Sequence, residues 1–197
     1  MSTIAAISTP NAVGGIAVIR ISGPDALTVA ARVFTPANGK PVSGMAGYTC
    51  AYGTVRDQDG NPVDDVVLTV FRAPHSYTGE DTAELSCHGG LFLSRQVLRL
   101  CFAAGAEPAQ PGEFTKRAFL AGKLSLTQAE SVMDLISAQW DAQLRCARSL
   151  REGAVFRRIH SCTDQLVVLL SDLAAWADYP EEDIPSVEPD ALDASLT

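Results

Sequence analysis

The chain has 197 residues, of which 47% are hydrophobic and 19% are charged. This length suits one large globular domain, or one domain and part of another. Apolar stretches such as LVVLL at 166–170 are far shorter than the roughly 20 residues that span a bilayer. The first ten residues lack the basic segment and apolar core of a secretory signal. The composition therefore excludes a membrane-embedded protein, and we expect a cytoplasmic one.

The net charge of −8 argues at first against a nucleic-acid partner. However, eight of the 23 acidic residues lie from Asp172 onward, where the chain has no Lys or Arg. The preceding 171 residues carry 15 acidic and 15 basic side chains, so the body of the chain is neutral and only the tail is acidic. The net charge therefore does not exclude an RNA partner.

The cysteines and histidines predict neither disulfides nor a metal site. Five cysteines are an odd number, they are widely spaced, and no C-x-x-C pair occurs. We expect them to be small buried side chains in a reducing compartment. The three histidines are scattered, and only His88 lies in a recognisable motif.

The first half of the chain is predicted to mix strands and helices. Residues 3–8 and 16–22 are short, apolar and β-branched, and a turn-rich segment separates them, so we predict two strands. A short helix is predicted over 25–34, after Pro24. Residues 37–46 are rich in Gly, Pro and Ser and are predicted to form a loop.

The next segment has the strongest hairpin signal. Predicted strands at 48–56 and 63–72 flank the turn sequence DQDGNP. A further strand is predicted over 82–88. Gly89 and Gly90 then precede a helix that reaches Gly105.

The composition changes near Pro111, and the remainder is predicted to be helical. A short helix ends at Gly122, and a longer one carries an apolar stripe over 126–144. A second long helix is predicted over about 155–176. Two long helices cover only part of each other's apolar surface. We therefore expect a partner chain or further C-terminal sequence to complete this bundle.

The start of the first long helix has two possible capping boxes. Ser125 with Gln128 and Thr127 with Glu130 both fit the pattern, so its boundary is open by one turn.

Two charged residues lie within predicted strands. Glu84 alternates with apolar neighbours and is predicted to point away from the apolar face. It is either a solvent-facing side chain or a carboxylate that accepts paired N–H bonds from a planar heterocycle such as a pterin or guanine. Arg20 lies in the middle of an apolar strand, where a charge needs a partner or a ligand. His88 is either a turn histidine bonded to backbone or an anion ligand at a helix start.

Two groups of basic residues are candidates for anion binding. Lys116, Arg117 and Lys123 lie within eight residues, and either bind an acidic ligand tail or form an ordinary solvated surface. A second group fits an RNA or anion surface, but a solvated face or an intersubunit salt-bridge row is favoured. It consists of Arg145, Arg148, Arg151, Arg157 and Arg158.

No nucleotide-binding or hydrolase motif accompanies these residues. The sequence contains no phosphate loop of the G-x-x-x-x-G-K-[ST] type, and the D-x-x-G match at 57–60 lies in the predicted hairpin turn. No nucleophile elbow or H-E-x-x-H motif occurs either. The motifs alone therefore assemble no catalytic site.

Four segments in order resemble the tRNA-modification GTPase family MnmE, also called TrmE. They are IAAISTPNAVGGIAVIRISG, SYTGEDTAELSCHGG, PGEFTKRAFLAGKLSLTQAESVMDLI and YPEEDIP. The resemblance implies an α+β N-terminal domain of the tetrahydrofolate-binding type, a mixed sheet with flanking helices, followed by the first helices of an incomplete helical bundle. Residues 1–120 would form the folate-binding and dimerisation domain, and residues 121–197 the first part of the helical domain with its acidic tail.

The same resemblance implies function and partners. The family couples GTP hydrolysis, by a G domain that uses potassium and magnesium, to modification of the tRNA wobble uridine. It forms homodimers through the N-terminal domain and works with the flavin-dependent protein MnmG. By this resemblance the G domain lies outside this chain, which would bind 5-formyltetrahydrofolate or a related tetrahydrofolate without hydrolysing GTP. Whether the chain acts as an enzyme by itself stays open.

The family's folate contacts carry over to Arg20, Glu84 and Lys123. Glu84 would accept hydrogen bonds from the pterin ring, while the two cations would favour folate carboxylates or carbonyls. The loop Asn11-Ala12-Val13 departs from the Pro-Gly-rich loop usual in the family. Two alternatives stay open: a free-standing folate-dependent one-carbon transferase that uses His88 or Cys87, and a structural dimerisation module without folate.

Overall fold

The computed structural model describes residues 1–178, and its contacts divide the chain into two compact units. The first is Met1–Leu124 and the second begins at Ser125. The predicted α+β arrangement followed by helices is confirmed. The YPEEDIP segment and the acidic tail beyond it lie outside the described residues.

The first unit contains one seven-stranded mixed sheet. Its strands are β1 Ile4–Ile7, β2 Ile16–Ser22, β3 Phe34–Pro36, β4 Thr49–Arg56, β5 Pro62–Phe71, β6 Thr82–His88 and β7 Glu107–Pro108. Their spatial order is β3-β4-β5-β6-β2-β1-β7. All neighbours are antiparallel except β1 and β7, which run parallel. The sheet thus places β6 at its centre, between β5 and β2.

Helices of the first unit cover one face of this sheet. They are α1 Ala26–Val33 and α2 Leu91–Ala103, whereas the short helix α3 Glu113–Leu120 places Phe114 next to Arg20 on the other face. The side chains of α1 and α2 pack with alternate strand residues, among them Ile19, Leu68 and Leu85, in one core. Strand residues alternate between two faces, so the side chains between these core positions lie on the opposite face. That face carries Arg20 and Glu84.

The predicted hairpin is confirmed, including its turn. The carboxylate of Asp57 accepts hydrogen bonds from the backbone N–H groups of Asp59 and Asn61, at 3.0 and 2.8 Å. Gly60 has a φ of +84°, which favours glycine at this position. The side-chain amide of Asn61 also lowers the pKa of Asp57. The D-x-x-G match is therefore a structural turn.

The second unit consists of α4 Leu126–Ser137, α5 Asp141–Arg151 and α6 Ala154–Asp178. Ser125 caps α4 in a capping box with Gln128, which settles the boundary left open by the sequence. The prediction of one helix over 126–144 is wrong, because Ala138 and Trp140 leave the helical conformation. At this break the chain reverses and α5 folds back along α4. The side chain of Gln128 on α4 donates to the carbonyl of Arg151 at the end of α5, at 2.8 Å.

Three short elements were not predicted, and each depends on its neighbours. β3 pairs with β4, β7 pairs with β1, and a 3-10 turn spans Val42–Gly44 inside the predicted loop. Elements of two or three residues carry too little periodicity to be recognised from sequence. Among residues 1–178, no helix has both the length and the apolar character needed to cross a membrane.

Candidate functional site

Arg20 and Glu84 form an ion pair at the centre of the open sheet face. The two residues are register partners on β2 and β6, and Arg20 Nε donates to Glu84 Oε1 at 2.7 Å. Their side chains are 26% and 20% exposed, so the pair is partly shielded from water but still accessible. The neighbours of Glu84 along β6, Ala83 and Leu85, are fully buried, which confirms that Glu84 points away from the core.

Two aromatic rings flank the Arg20 guanidinium. Its Cζ lies 5.5 Å from the ring centroid of Tyr77 and 5.5 Å from that of Phe114, within cation–π range. The Tyr77 hydroxyl shares a 2.9 Å hydrogen bond with the Thr115 hydroxyl. This bond ties the segment before β6 to α3. A carboxylate, a guanidinium and two aromatic rings therefore meet at one accessible place.

Lys123 joins this site through the segment before β6 and not by direct contact. Its ammonium donates to the backbone carbonyls of Pro74, at 2.8 Å, and Ser76. Its aliphatic stem passes close to Gly79. Among the residues that the structure describes, no hydrogen bond joins Lys123 to Arg20 or Glu84. Two of the three predicted site residues are thus in contact, and the third holds the segment that contains Tyr77.

Arg117 is a buried structural residue, which corrects its interpretation as part of a surface or ligand-binding cluster. Its side chain is 7% exposed and pairs with Glu80 at 3.0 Å and with Glu113 at 2.9 Å. It also donates to the backbone carbonyl of Ser2 at 2.7 Å. These bonds leave Arg117 committed to the fold. Lys116, by contrast, is exposed.

The Arg117 network fixes both aromatic residues of the site. Glu80 lies three residues after Tyr77 and accepts a 2.8 Å hydrogen bond from the Ser22 hydroxyl. Glu113 precedes Phe114 and accepts from the backbone N–H of Gln110 at 2.7 Å, which lowers the pKa of Glu113. The two polypeptide segments that carry the rings are therefore anchored to the same guanidinium.

The sequence analysis did not identify Tyr77 or Phe114 as site residues. Both lie inside quoted motifs, SYTGED and PGEFTK, but neither motif indicates that the two rings meet. The register of β2 with β6 and the placement of α3 bring Arg20 next to both rings, although Phe114 lies 94 residues after Arg20 in the chain. The available sequence signal was a tyrosine next to the glycine-containing segment Thr78-Gly79.

The surroundings of His88 and Cys87 differ from those that the sequence predicted. His88 Nδ1 lies 2.7 Å from Asp64 Oδ1, and its backbone N–H donates to Asp64 Oδ2, so a carboxylate and not the backbone satisfies the imidazole. Cys87 is buried, and burial raises its pKa to about 11. A thiol that stays protonated near neutral pH is a poor nucleophile.

The expectation that the cysteines are buried is right for only two of them. Cys87 and Cys101 lie in the core of the first unit, and burial raises the pKa of Cys101 to about 12. Cys50, Cys146 and Cys162 are exposed. All five are free thiols.

The arginine-rich stretch of the second unit is exposed and partly paired. Arg148 forms a 2.8 Å ion pair with Glu152, and Arg157 donates to the Glu152 carbonyl at 2.6 Å. The described contacts of this stretch are thus local ones within the chain, and the choice between a solvated face, an intersubunit salt-bridge row and an RNA surface stays a prediction. Within residues 1–178, no group of three His, Cys, Asp or Glu side chains is arranged to hold a metal ion.

Two family models match the chain almost end to end. Residues 3–123 match the model described as the GTP-binding protein TrmE N-terminus, and residues 126–197 match the MnmE helical domain. The junction between these matches lies next to the division between the two structural units.

Curated relatives agree with these matches. The chain is 43% identical over 189 residues to the tRNA modification GTPase MnmE of Carboxydothermus hydrogenoformans, covering 95% of this chain and 41% of that protein. The proteins of the same name from Symbiobacterium thermophilum and Protochlamydia amoebophila are 46% and 42% identical, over 91% and 98% of this chain and 39% and 42% of theirs. The chain thus spans about two fifths of the length of these relatives. The chain belongs to the MnmE (TrmE) family, and it matches the N-terminal domain and the helical domain of that family.

Proposed function

We propose that the first unit binds a tetrahydrofolate, with 5-formyltetrahydrofolate as the expected species, at the Arg20–Glu84 site. The observation that carries the proposal is the meeting of a partly exposed carboxylate, a guanidinium and two aromatic rings on one sheet face. A reduced pterin presents N–H donors along one edge and a flat surface, and folate ends in carboxylates. The donors and acceptors present fit such a ligand.

Each proposed contact residue has a chemical role. Glu84 accepts hydrogen bonds from the pterin, for which its Oε2 atom has no partner among the described residues. Arg20 and Lys123 attract the folate carboxylates or carbonyls. Lys123 retains one N–H beyond the two that hold Pro74 and Ser76. The folate would supply the one-carbon unit, while these residues bind and orient it.

Residues 1–120 are proposed to dimerise as well as to bind folate. The open face of the sheet exposes Tyr52 to 60% and Val67 to 40%, at positions that alternate with buried residues of β4 and β5. Exposed aromatic and β-branched side chains are typical of a face that packs against another protein surface. We take a second copy of the chain as that partner.

The whole protein is proposed to act in modification of the tRNA wobble uridine, as a cytoplasmic homodimer together with MnmG. Residues 121–197 would contribute the first helices of the helical domain. GTP, potassium and magnesium would bind in a G domain outside this chain. The names of the relatives, tRNA modification GTPases, support the tRNA and GTPase components of this proposal.

Isothermal titration with 5-formyltetrahydrofolate tests the folate proposal. We expect saturable binding by the wild-type chain. Glu84→Gln should lose at least tenfold in folate affinity, because an amide cannot accept from two donors equally well. Arg20→Ala should also bind folate more weakly. Glu107→Gln is the matched control, because Glu107 is an exposed strand carboxylate on β7, and it should bind like the wild type.

The titration also separates the alternatives. No binding by the wild-type chain would leave the structural dimerisation module as the function of the first unit. Equal affinity in Glu84→Gln would reject the site assignment. A free-standing one-carbon transferase would consume the ligand and show turnover, for which product analysis of the same mixture is sufficient.

A further inference from the structure

We propose that Tyr77 and Phe114 are ligand-binding residues of the folate site, holding a planar, nitrogen-rich ring against Glu84, and that the Arg20 guanidinium occupies the place of that ring in the free protein. The inference rests on the proposed function and adds two residues and a displacement step to it.

Arg20 contacts a carboxylate and two aromatic rings. Its guanidinium donates to the Glu84 carboxylate through Nε and lies 5.5 Å from the centroids of two aromatic rings. A guanidinium is flat, and it carries N–H groups joined through one carbon atom. The 2-amino-4-oxopyrimidine edge of a pterin has the same pattern, an N–H and an amino group on one carbon. The contacts that stabilise Arg20 are therefore those that a pterin ring needs.

Hydrogen bonds and ion pairs hold the two rings in place. The Tyr77 hydroxyl is bonded to Thr115, and Lys123 holds the carbonyls of Pro74 and Ser76 on the Tyr77 segment. Glu113, next to Phe114, is anchored by Arg117. Rings that are preorganised in this way lose little freedom when a ligand stacks between or beside them.

Arg20 is free to move away when a ring binds. Its side chain is 26% exposed and its hydrogen bond within the described residues is to Glu84, so it can move toward solvent while the N–H donors of the ring take its place at the carboxylate. Once displaced, it is free to pair with a carboxylate or carbonyl of the folate tail. Arg20 thus opposes binding of the ring and favours binding of the tail.

The test uses two ligands, 5-formyltetrahydrofolate and 6-methyltetrahydropterin, which lacks the p-aminobenzoylglutamate tail. Tyr77→Leu and Phe114→Leu should each lower the affinity for both ligands about tenfold, the effect expected for loss of an aromatic stack. Tyr77→Phe keeps the ring but loses the hydrogen bond to Thr115, so its affinity should lie between those of the wild type and Tyr77→Leu. Phe92→Leu is the matched control, because Phe92 is a 78% exposed ring on α2, and it should change neither affinity.

Arg20→Ala gives the sharper result, because the two ligands should respond with opposite signs. The variant should bind the tail-free pterin more tightly and the complete folate more weakly. Circular dichroism of each variant checks that it is folded; if Tyr77→Leu does not fold, Phe114→Leu and Arg20→Ala decide.

Wild-type binding of folate with no change in the two ring variants would overturn this inference and leave the proposed function intact. A loss of pterin affinity in Arg20→Ala as large as its loss of folate affinity would overturn it as well. Absence of folate binding by the wild-type chain would reject the proposed function and this inference together.

Discussion

Arg20 and Glu84 face each other across β2 and β6, and their ion pair joins the two strands at the middle of the sheet. Glu84 is also the register partner of Thr69 on β5, so the pair continues as a polar row across three strands. A charged row at the centre of a sheet costs stability unless its members are paired. The ion pair leaves neither Arg20 nor Glu84 without a partner in the free protein.

The first prediction concerns the strength of this ion pair. A double-mutant cycle with Arg20→Ala and Glu84→Ala should give a coupling energy of about 1 kcal/mol, because both side chains keep some contact with water. Urea unfolding of the four proteins provides the free energies. Coupling indistinguishable from zero would show that the two charges act independently.

Arg117 should matter far more to stability than its neighbour Lys116. Arg117→Met leaves the carboxylates of Glu80 and Glu113 without their cation and should cost about 3 kcal/mol of unfolding free energy. Lys116→Met removes an exposed charge and should stay within about 0.5 kcal/mol of the wild type. Comparable losses in the two variants, measured by urea unfolding, would contradict the network.

Glu113 predicts a dependence of stability on pH. The backbone N–H of Gln110 and the guanidinium of Arg117 lower the pKa of Glu113 from its ordinary 4.5. A carboxyl with a lowered folded-state pKa contributes stability above its unfolded pKa and loses it as the pH falls through the folded pKa. Below about pH 4.5 the wild type should therefore lose stability more steeply than Glu113→Gln. Parallel curves would reject the prediction.

Gly89 and Gly90 should respond differently to alanine. A Cβ atom at Gly89 would overlap with the carbonyl group of Gly14, whereas one at Gly90 meets only the Leu93 side chain at an ordinary distance. Gly89→Ala should cost about 2 kcal/mol or more, and Gly90→Ala about 0.5 kcal/mol or less. Thermal unfolding distinguishes them, and equal midpoints would argue against this close approach.

The cysteines predict the number of reactive thiols. Cys50, Cys146 and Cys162 are exposed and should react with a thiol reagent near pH 8 in the native protein. Cys87 and Cys101 should react only after unfolding, because burial protects them and raises their pKa to about 11 and about 12. Mass spectrometry of the labelled protein should find three modified residues, and a fourth native modification would contradict the burial of the core pair.

Much of the fold could be predicted from local patterns. Period-two alternation located β2 and β6, and the turn residues at 57–62 located the hairpin, since both signals act over a few neighbouring residues. The apolar stripe over 126–144 was misleading, because α4 and α5 continue the same periodicity across the break at 138–140. The break depends on the packing of α5 back along α4, which the local periodicity does not indicate.

The candidate site was likewise predictable from the sequence only in part. The sequence by itself determined that Arg20 and Glu84 are charged residues on apolar strands, because a strand pattern fixes which side chains share a face. Only the tertiary structure decided that they pair with each other, that Tyr77 and Phe114 flank the guanidinium, and that Arg117 is buried. These contacts join residues tens of positions apart, and their distances depend on strand register and on the placement of α3, which arise when the whole sheet assembles.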